Sequence, residues 1–219
     1  SGKGYRGDAI LQFDWTVGEI MKALKKQGIA ENTLIVLTSD NGPVVNDGYL
    51  DQAVELLGEH RPWGDMRGGK YSNFEAGTRV PFIVSWPTKV TPGISNALVS
   101  HIDLFASMAE LVGTELKEDV AIDSRKQLNV LLGADQKGRD YIIEAAQSIS
   151  ISDGEWKYIT PCDRTPYYEI TRTETGNSSE EQLYNLHKDI SERHNLASKY
   201  PEIVEIMKKS LKQEKDKWN

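Results

Sequence analysis

The stretch that decides the fold is Thr33-Leu34-Ile35-Val36-Leu37-Thr38-Ser39-Asp40-Asn41-Gly42. Its first half is a run of β-branched residues and leucines without a charge, which predicts a buried strand over Leu34–Leu37. Uncharged runs of this kind suit a parallel sheet that is covered on both faces. Asp40 and Asn41 then fall at the carboxyl end of the strand, where open α/β sheets bind their ligands. The sequence therefore predicts an α/β sheet with a ligand site beside Asp40.

Asp40 and Asn41 carry the oxygen atoms that this strand end offers to a ligand. A carboxylate and an amide carbonyl are hard ligands, which suit Ca²⁺ or Mg²⁺. Gly42 permits the chain to turn away tightly after them. An Asn-Gly pair after a strand is also an ordinary turn. The tripeptide alone therefore leaves a metal site and a simple turn both open.

The segments on either side of this strand predict further α/β elements. Apolar residues at three- and four-residue spacing indicate helices over Ala9–Gly28 and His101–Val112. A second apolar run, Val80–Trp86, indicates another buried strand. The intervening residues Gly42–Thr78 are polar and rich in glycine. A loop of that length inside a compact domain is usually functional or flexible.

The pattern changes after Gly133, where short strand candidates follow one another without helices between them. These candidates are Tyr141–Glu144, Trp156–Ile159 and Gln182–Leu186. A terminal helix is predicted over Pro201–Lys215, and Thr171–Glu180 is predicted to be an exposed polar loop. Such an order indicates a small antiparallel sheet with one covering helix. We therefore expect two parts, residues 1–135 in an α/β domain and residues 136–219 in an antiparallel subdomain.

Composition excludes several classes of protein. The chain has 219 residues and a formal net charge of −7, which argues against a general surface for nucleic acids or anionic membranes. No segment approaches the roughly 18 apolar residues that span a bilayer. The polar first residues show no apolar core of a signal peptide. Cys162 is the single cysteine, so neither an internal disulfide nor a cysteine-based zinc site is expected.

A second motif surrounds Lys70. Gly68 and Gly69 would let the backbone approach a ligand closely, and the basic Arg67 and Lys70 flank them. A lysine can bind an oxyanion and shield the charge that develops on a leaving oxygen. An ordinary glycine turn with solvated basic side chains has the same sequence, and the segment is not a Walker A motif. The Lys70 segment offers a cation, and Asp40 with Asn41 offers oxygen ligands for a metal. Together they suit transfer or hydrolysis of a sulfate or phosphate ester.

Five ordered blocks of the sequence resemble the sulfatase family. Glu31–Gly42 resembles the metal-binding strand of sulfatases, and Arg67–Pro87 looks like their lysine loop and the strand that follows it. The remaining blocks, in the same order as in the family, are Val99–Leu104, Asp153–Ile159, and Leu183–Leu186 continuing to Asn195–Ala197. The resemblance covers nearly the whole chain, and five blocks in order are far more specific than one.

The resemblance implies an alkaline-phosphatase-like α/β sheet with flanking helices and a small antiparallel α+β subdomain. It implies that Asp40 and Asn41 are Ca²⁺ ligands, with Mg²⁺ the less favoured ion, and that Lys70 contacts the sulfate ester. We expect His60, in the long loop, and Arg67 to line the substrate cleft. The residues of the same blocks that we expect to be structural are Glu75, Arg79 and Trp86, with an ion pair between the first two.

The chain also departs from the family pattern. Sulfatases carry an N-terminal Cys-x-Pro-x-Arg or Ser-x-Pro-x-Arg motif whose first residue becomes formylglycine, and this sequence has none. Cys162 lies in Pro161-Cys162-Asp163-Arg164, which has the wrong order. The chain thus resembles the C-terminal portion of a sulfatase. We expect it to be inactive by itself, because the nucleophile motif is absent, and to self-associate through exposed apolar surface.

The expected function of the parent protein is hydrolysis of sulfate esters on a glycan or an aryl sulfate. By resemblance it would act in the periplasm or outside the cell, on a sulfated small molecule or glycan. One alternative is a phosphate or phosphonate ester hydrolase of the same superfamily. Another is a non-catalytic module that binds sulfated glycans, against which the net negative charge weighs mildly.

Overall fold

The computed structural model describes residues 1–218 of the chain. The elements of the first part are α1 (Gly4–Lys26), β1 (Ile35–Thr38), α2 (Glu75–Thr78), β2 (Phe82–Ser85), α3 (Asp103–Leu111) and α4 (Leu128–Leu131). Those of the second part are β3 (Ile142–Ala146), β4 (Ser148–Ser152), β5 (Trp156–Ile159), β6 (Tyr167–Tyr168), β7 (Thr173–Glu174), β8 (Gln182–Asn185) and α5 (Pro201–Lys215). Short 3₁₀ turns lie at Ala30–Asn32 and Asp216–Trp218. The predicted α/β class is confirmed, with helices beside antiparallel sheets.

The pairing of β1 corrects one expectation. β1 and β2 form an antiparallel pair in which Ile35 lies opposite Ser85 and Thr38 opposite Phe82. The prediction of a parallel, fully covered sheet was wrong for these strands, since β1 is half-buried along its length and Ile83 of β2 is 58% exposed. The reason lies in the long loop between them. Its two ends meet where Gly42 N–H donates to Gly77 O at 2.9 Å, so the chain re-enters the sheet at the end from which it left.

Helix α1 is longer than predicted and has no buried residue. It begins at Gly4, five residues before the predicted start at Ala9, and its apolar side chains face solvent, with Ile10 64% and Phe13 54% exposed. No helix among residues 1–218 is long and apolar enough to cross a membrane. The apolar spacing thus predicted the helix correctly, although the described chain fully buries none of its apolar residues and leaves only a few, such as Val17 and Leu24, half-buried.

The second part contains the main core. Strands β3, β4, β5 and β8 form an antiparallel sheet in that order, which confirms the predicted small sheet. Helix α5 covers one face, as predicted. The buried core residues that meet there are Ile151, Tyr158, Leu183, Val204, Met207 and Leu211. The prediction of an exposed loop over 171–180 was wrong, because Thr173, Thr175 and Asn177 are buried.

The predicted boundary between residues 135 and 136 stays a prediction. Buried ion pairs cross it, among them one in which Arg139 Nε donates to Asp103 Oδ2 at 2.7 Å. Asp103 has no exposed surface and also accepts backbone N–H groups of Ser100 and Arg125. The start of α3 is therefore tied to the chain that leads into the C-terminal sheet.

Candidate functional site

Backbone hydrogen bonds join the end of β1 to the segment that contains Lys70, which we call the lysine loop (residues 67–79). Gly42 N–H donates to Gly77 O, and Lys70 N–H donates to Pro43 O, both at 2.9 Å. The two motifs that the sequence singled out are therefore neighbours, although about thirty residues separate them along the chain. This contact is the structural basis of the candidate site.

The glycines at this contact are required by close approach. A Cβ atom on Gly42 would lie 1.6 Å from Ala76 O, and one on Gly77 would lie 2.2 Å from Ser72 O. Real Cβ atoms essentially never come that close to backbone, so both positions need glycine. The sequence predicted a tight turn at Gly42. The main requirement there is instead the absence of a side chain against the lysine loop.

A pocket of about 260 Å³ opens at this junction. Its walls come from the end of β1, from the lysine loop and from β3, the edge strand of the C-terminal sheet. The lining residues are Asp40, Asn41, Tyr71, Ser72, Gly77, Thr78, Glu144, Ala145 and Ala146. The pocket therefore contains both predicted metal ligands and is bordered by both predicted parts of the chain.

Asp40 and Asn41 present oxygen atoms to this pocket. Asp40 is exposed, and Asn41 is half-buried with its Nδ2 donating to Gly42 O at 2.8 Å. Because that bond fixes the amide, Asn41 Oδ1 is left as an acceptor without a donor among the described residues. A carboxylate and an amide oxygen fit Ca²⁺ or Mg²⁺ chemically. Within residues 1–218, however, no three His, Cys, Asp or Glu side chains form a group that could hold a metal.

Lys70 is paired rather than free. Its Nζ lies 3.0 Å from Asp47 Oδ2 and 5.1 Å from the centre of the Tyr71 ring. The hydrogen bond to Asp47, with a further contribution from Tyr71, raises the pKa of Lys70, so the ammonium stays charged. Tyr71 adopts the left-handed region at φ 77°, a strained conformation for a bulky residue. Asp47, a partner that no sequence motif indicated, binds the lysine, and neither residue is part of the pocket lining.

The two residues predicted to line the substrate cleft lie apart from the pocket lining. Arg67 donates to both oxygens of Glu174, at 2.6 and 3.0 Å, and to Glu192 O at 2.7 Å. Its guanidinium also lies 4.0 Å from the centre of the Phe74 ring. These contacts give Arg67 a structural role. His60 is exposed in the long loop, and a place in the cleft stays a prediction for both.

A buried charge cluster behind the lysine loop was not predicted from the sequence. The expected pair of Arg79 with Glu75 is present at 2.6 Å. Glu75 also accepts from Lys157 Nζ at 2.9 Å, and Lys157 has no exposed surface. Glu192, likewise fully buried, lies 3.8 Å from that nitrogen. One signal was available in the sequence, a lysine between Trp156 and Tyr158 in a strand whose other residues are large and apolar.

Trp86, which was predicted to be structural, and His101, which precedes α3, both have packing roles. His101 Nε2 lies 2.7 Å from Thr38 Oγ1, and its ring packs 6.0 Å from that of Phe82. Trp86 Nε1 donates to Asn32 Oδ1 at 3.2 Å. These contacts hold the two strands against α3 and the turn before β1.

Comparison with known proteins identifies the class and then the family. The phosphonate monoester hydrolase of Agrobacterium radiobacter has the same fold at a TM-score of 0.58 and 19% identity, over 94% of this chain and 40% of its own. The fold is therefore that of alkaline-phosphatase-like hydrolases and sulfatases. The sulfatase family profile matches residues 3–114, about half of the chain. The chain belongs to the sulfatase family.

Two relatives are much closer in sequence. N-acetylgalactosamine-6-O-sulfatase of Bacteroides thetaiotaomicron is 50% identical over 213 residues, which make up 96% of this chain and 42% of that protein. A solved structure from work on the metabolism of multiple glycosaminoglycans by Bacteroides thetaiotaomicron has a TM-score of 0.95 at 49% identity. It covers 98% of this chain and 45% of its own. The chain thus spans less than half the length of these relatives.

Proposed function

We propose that the protein to which this chain belongs hydrolyses sulfate esters of a glycan, with 6-O-sulfated N-acetylgalactosamine as the first substrate to test. The observation that carries the proposal is the hydrogen-bonded junction of the Asp40–Asn41 strand end with the lysine loop. The 50% identity to an N-acetylgalactosamine-6-O-sulfatase supports the choice of sugar. The pocket at the junction has room for a sulfate group and is lined by Asp40, Asn41 and Tyr71, the residue that follows Lys70.

The residues of this chain would have two roles, binding a metal ion and contacting the sulfate ester. Asp40 and Asn41 would contribute two of the oxygen ligands of a Ca²⁺ ion, or less favourably Mg²⁺. Bound there, the cation would neutralise sulfate oxygens. Lys70 would contact the ester and stabilise the charge on the departing oxygen, after its ammonium exchanges Asp47 for the substrate. The formylglycine nucleophile expected in this family would come from outside the 219 residues.

The remaining parts of the proposal concern the surroundings of the pocket. His60 and Arg67 would border the outer part of the substrate cleft, and an exchange of Arg67 partners would be needed for direct contact. A polymeric glycan substrate fits a periplasmic or secreted protein. The exposed apolar residues of α1 fit self-association of the isolated chain.

The test uses the product of the gene that encodes this chain, matured so that formylglycine forms. We expect release of sulfate from 6-O-sulfated N-acetylgalactosamine in preference to the 4-O-sulfated isomer. Lys70→Ala should lower kcat by roughly 10²–10³-fold, whereas the exposed Lys89→Ala serves as a matched control and should leave it unchanged. Asp40→Asn should reduce both activity and Ca²⁺ affinity.

Two results would redirect the proposal. Turnover of phosphate or phosphonate esters with no release of sulfate would place the protein in the other branch of the superfamily. Tight binding of sulfated glycans with no turnover by the matured protein would favour a binding module. The 219-residue chain alone is expected to be inactive on an aryl sulfate. Activity of that chain would contradict the proposal that the nucleophile comes from outside the 219 residues.

A further inference from the structure

A buried lysine joins the lysine loop to the C-terminal sheet. Lys157 lies on β5 with no exposed surface, and its Nζ donates to Glu75 Oε1 at 2.9 Å. Two more carboxylates surround the same nitrogen, Glu144 at 3.7 Å and Glu192 at 3.8 Å. Burial of a charged group costs free energy unless it is well paired. A cation placed among three carboxylates at this point therefore calls for an explanation beyond packing.

Glu192 binds the same turn through its other oxygen. Its Oε2 accepts the backbone N–H of Glu75 at 2.6 Å. Glu75 is the first residue of α2, so the carboxylate satisfies one of the N–H groups that a helix leaves unpaired at its start. Lys157 thus holds the side chain of Glu75, and Glu192 holds its backbone. Both partners come from the C-terminal part of the chain.

Helix α2 is a single turn that leads directly to the candidate site. Gly77, two residues after Glu75, accepts the Gly42 N–H through its carbonyl. Gly42 follows Asp40 and Asn41 immediately. No side chain can fill space at this contact, because a Cβ on either glycine would collide with backbone. A displacement of α2 is therefore transmitted to the Asp40–Asn41 strand end without a compliant side chain between them.

Glu75 must be ionised for this arrangement to hold. Burial opposes ionisation, yet the charges of Lys157 and Arg79 lower the pKa of Glu75 below its ordinary value. If Lys157 were neutral or absent, the buried carboxylate of Glu75 would lose a hydrogen-bond donor and would keep Arg79 as its counter-charge. A buried charge that loses one partner is strongly destabilising, so the side chain of Glu75 and the start of α2 would no longer be fixed.

We propose that Lys157 and Glu192 are positioning residues that fix α2 and, through the Gly77–Gly42 hydrogen bond, the Asp40–Asn41 strand end. The effect on catalysis rests on the proposed function, whereas the effect on the position of the strand end does not. The C-terminal sheet thereby contributes to the site through a charged contact that lies behind the pocket wall. Neither residue needs to touch a substrate.

The decisive experiment measures amide hydrogen exchange in Lys157→Met, which keeps most of the length of the side chain and removes its charge. We expect exchange in segments 40–48 and 67–79 to accelerate by about 100-fold, because breaking a buried pair strands a charge. Segments 149–152 in the central strand β4 and 182–185 in the buried edge strand β8 should change by less than about threefold. A general loss of stability would instead accelerate the loop and sheet segments together.

The matched control is Lys208→Met. Lys208 is also on the C-terminal part and also pairs with two carboxylates, Glu181 at 3.0 Å and Glu205 at 2.9 Å, but it is 41% exposed. We expect this variant to leave segments 40–48 and 67–79 unchanged, since surface ion pairs contribute little. If Lys157→Met fails to fold, Glu75→Gln replaces it, because Lys157 then keeps two carboxylate partners. That variant should accelerate the same two segments.

A second readout separates positioning from stability. In the matured enzyme, Lys157→Met should lower kcat by about 10-fold or more with little change in KM, as expected when transition-state geometry is lost. The double variant Lys157→Met, Glu75→Gln removes the stranded charge and should recover part of the lost protection in segment 40–48. Unchanged exchange in that segment, or equal acceleration in the sheet, would overturn the inference. If exchange responds as expected but the enzyme shows no sulfatase activity, the proposed function fails and the positioning role stands.

Discussion

Helices α1 and α5 have similar sequence signatures and opposite environments. Each shows apolar residues at three- and four-residue spacing with lysines in the last turn. α5 buries Val204, Met207 and Leu211 against the C-terminal sheet, whereas α1 buries no residue. The spacing of apolar residues therefore predicts that a helix forms and which face would be covered. It does not predict whether a partner for that face lies in the described chain.

The same contrast extends to the two sheets. The C-terminal sheet has four strands and a covering helix, and its residues Ile151 and Leu183 have no exposed surface. The N-terminal pair β1–β2 has two strands and exposes Ile83. The candidate site lies between these regions, and hydrogen bonds to the better packed one hold its lysine loop. Thus the region with the larger core supports the region that carries the predicted ligand-binding side chains.

The largest expected difference between the two helices comes from one matched substitution. Leu211→Ala on α5 removes a side chain that is 4% exposed, and Leu11→Ala on α1 removes one that is 55% exposed. We expect the first to lower the free energy of unfolding by about 2–5 kcal/mol and the second by less than about 0.5 kcal/mol. Urea denaturation of both variants measures this. Equal losses would show that α1 is covered in solution.

Two glycines provide the next comparison. Gly18 lies inside α1, where a Cβ atom would have nothing within 4 Å, whereas a Cβ on Gly42 would lie 1.6 Å from Ala76 O. Gly18→Ala should raise stability by about 0.5–1 kcal/mol through helix propensity. Gly42→Ala should lower it by about 2 kcal/mol or more, since backbone must move. Thermal unfolding distinguishes the signs, and a neutral Gly42→Ala would contradict the close contact at the site.

How much of this could be read from the sequence depends on the range of the interactions involved. The run Ile35–Leu37 and the spacing in Pro201–Lys215 are local, and the strand and helix were predicted within a residue or two. The antiparallel pairing of β1 with β2 was not predicted, because it depends on how the long loop between the two strands brings the chain back to the sheet. The burial of Thr175 was missed for a similar reason: its carbonyl accepts from the backbone N–H of Asn73, far away in the chain.

The candidate site shows the same division. Asp40, Asn41 and Lys70 were proposed from motifs, and the structure brings their segments together. The roles of Lys157 and Glu192 depend on three distant segments that meet in the interior, and no local pattern reports such a meeting. A charged residue within an apolar strand is the one sequence signal from which the burial of Lys157 could have been predicted, and our sequence analysis did not use it.

Glu192 gives the buried cluster a measurable pH dependence. Burial raises the pKa of Glu192 to about 7, against the opposing charge of Lys157 and with Glu75 and Arg67 also facing it. The native state therefore binds more protons than the unfolded state between about pH 4.5 and 7, so this group's contribution to stability falls as pH rises through that window. Glu144, whose pKa burial also raises, acts in the same direction.

Glu192→Gln should remove the decrease in the free energy of unfolding that Glu192 causes as pH rises. That decrease amounts to about 1–3 kcal/mol between pH 5 and 7. Glu19→Gln on α1 is the matched control, because Glu19 forms an exposed pair with Lys22, and it should leave the pH profile unchanged. Comparison of denaturation midpoints at several pH values with the unsubstituted protein gives the difference. Parallel profiles for all three proteins would show that Glu192 is ionised throughout.

The smallest expected effect concerns self-association of the 219-residue chain. Ile10 on α1 and Ile206 on α5 are almost equally exposed, at 64% and 62%. Ile10 lies among other exposed apolar residues of α1, including Leu11 and Phe13, whereas Ile206 lies on a helix whose apolar face is already packed. Contiguous apolar patches drive association more than isolated side chains.

Ile10→Ser should therefore weaken self-association severalfold, which corresponds to about 1 kcal/mol, whereas Ile206→Ser should leave it unchanged. Sedimentation velocity measures both effects. A chain that stays monomeric at every concentration, or that responds equally to both substitutions, would show that the exposed face of α1 does not drive association.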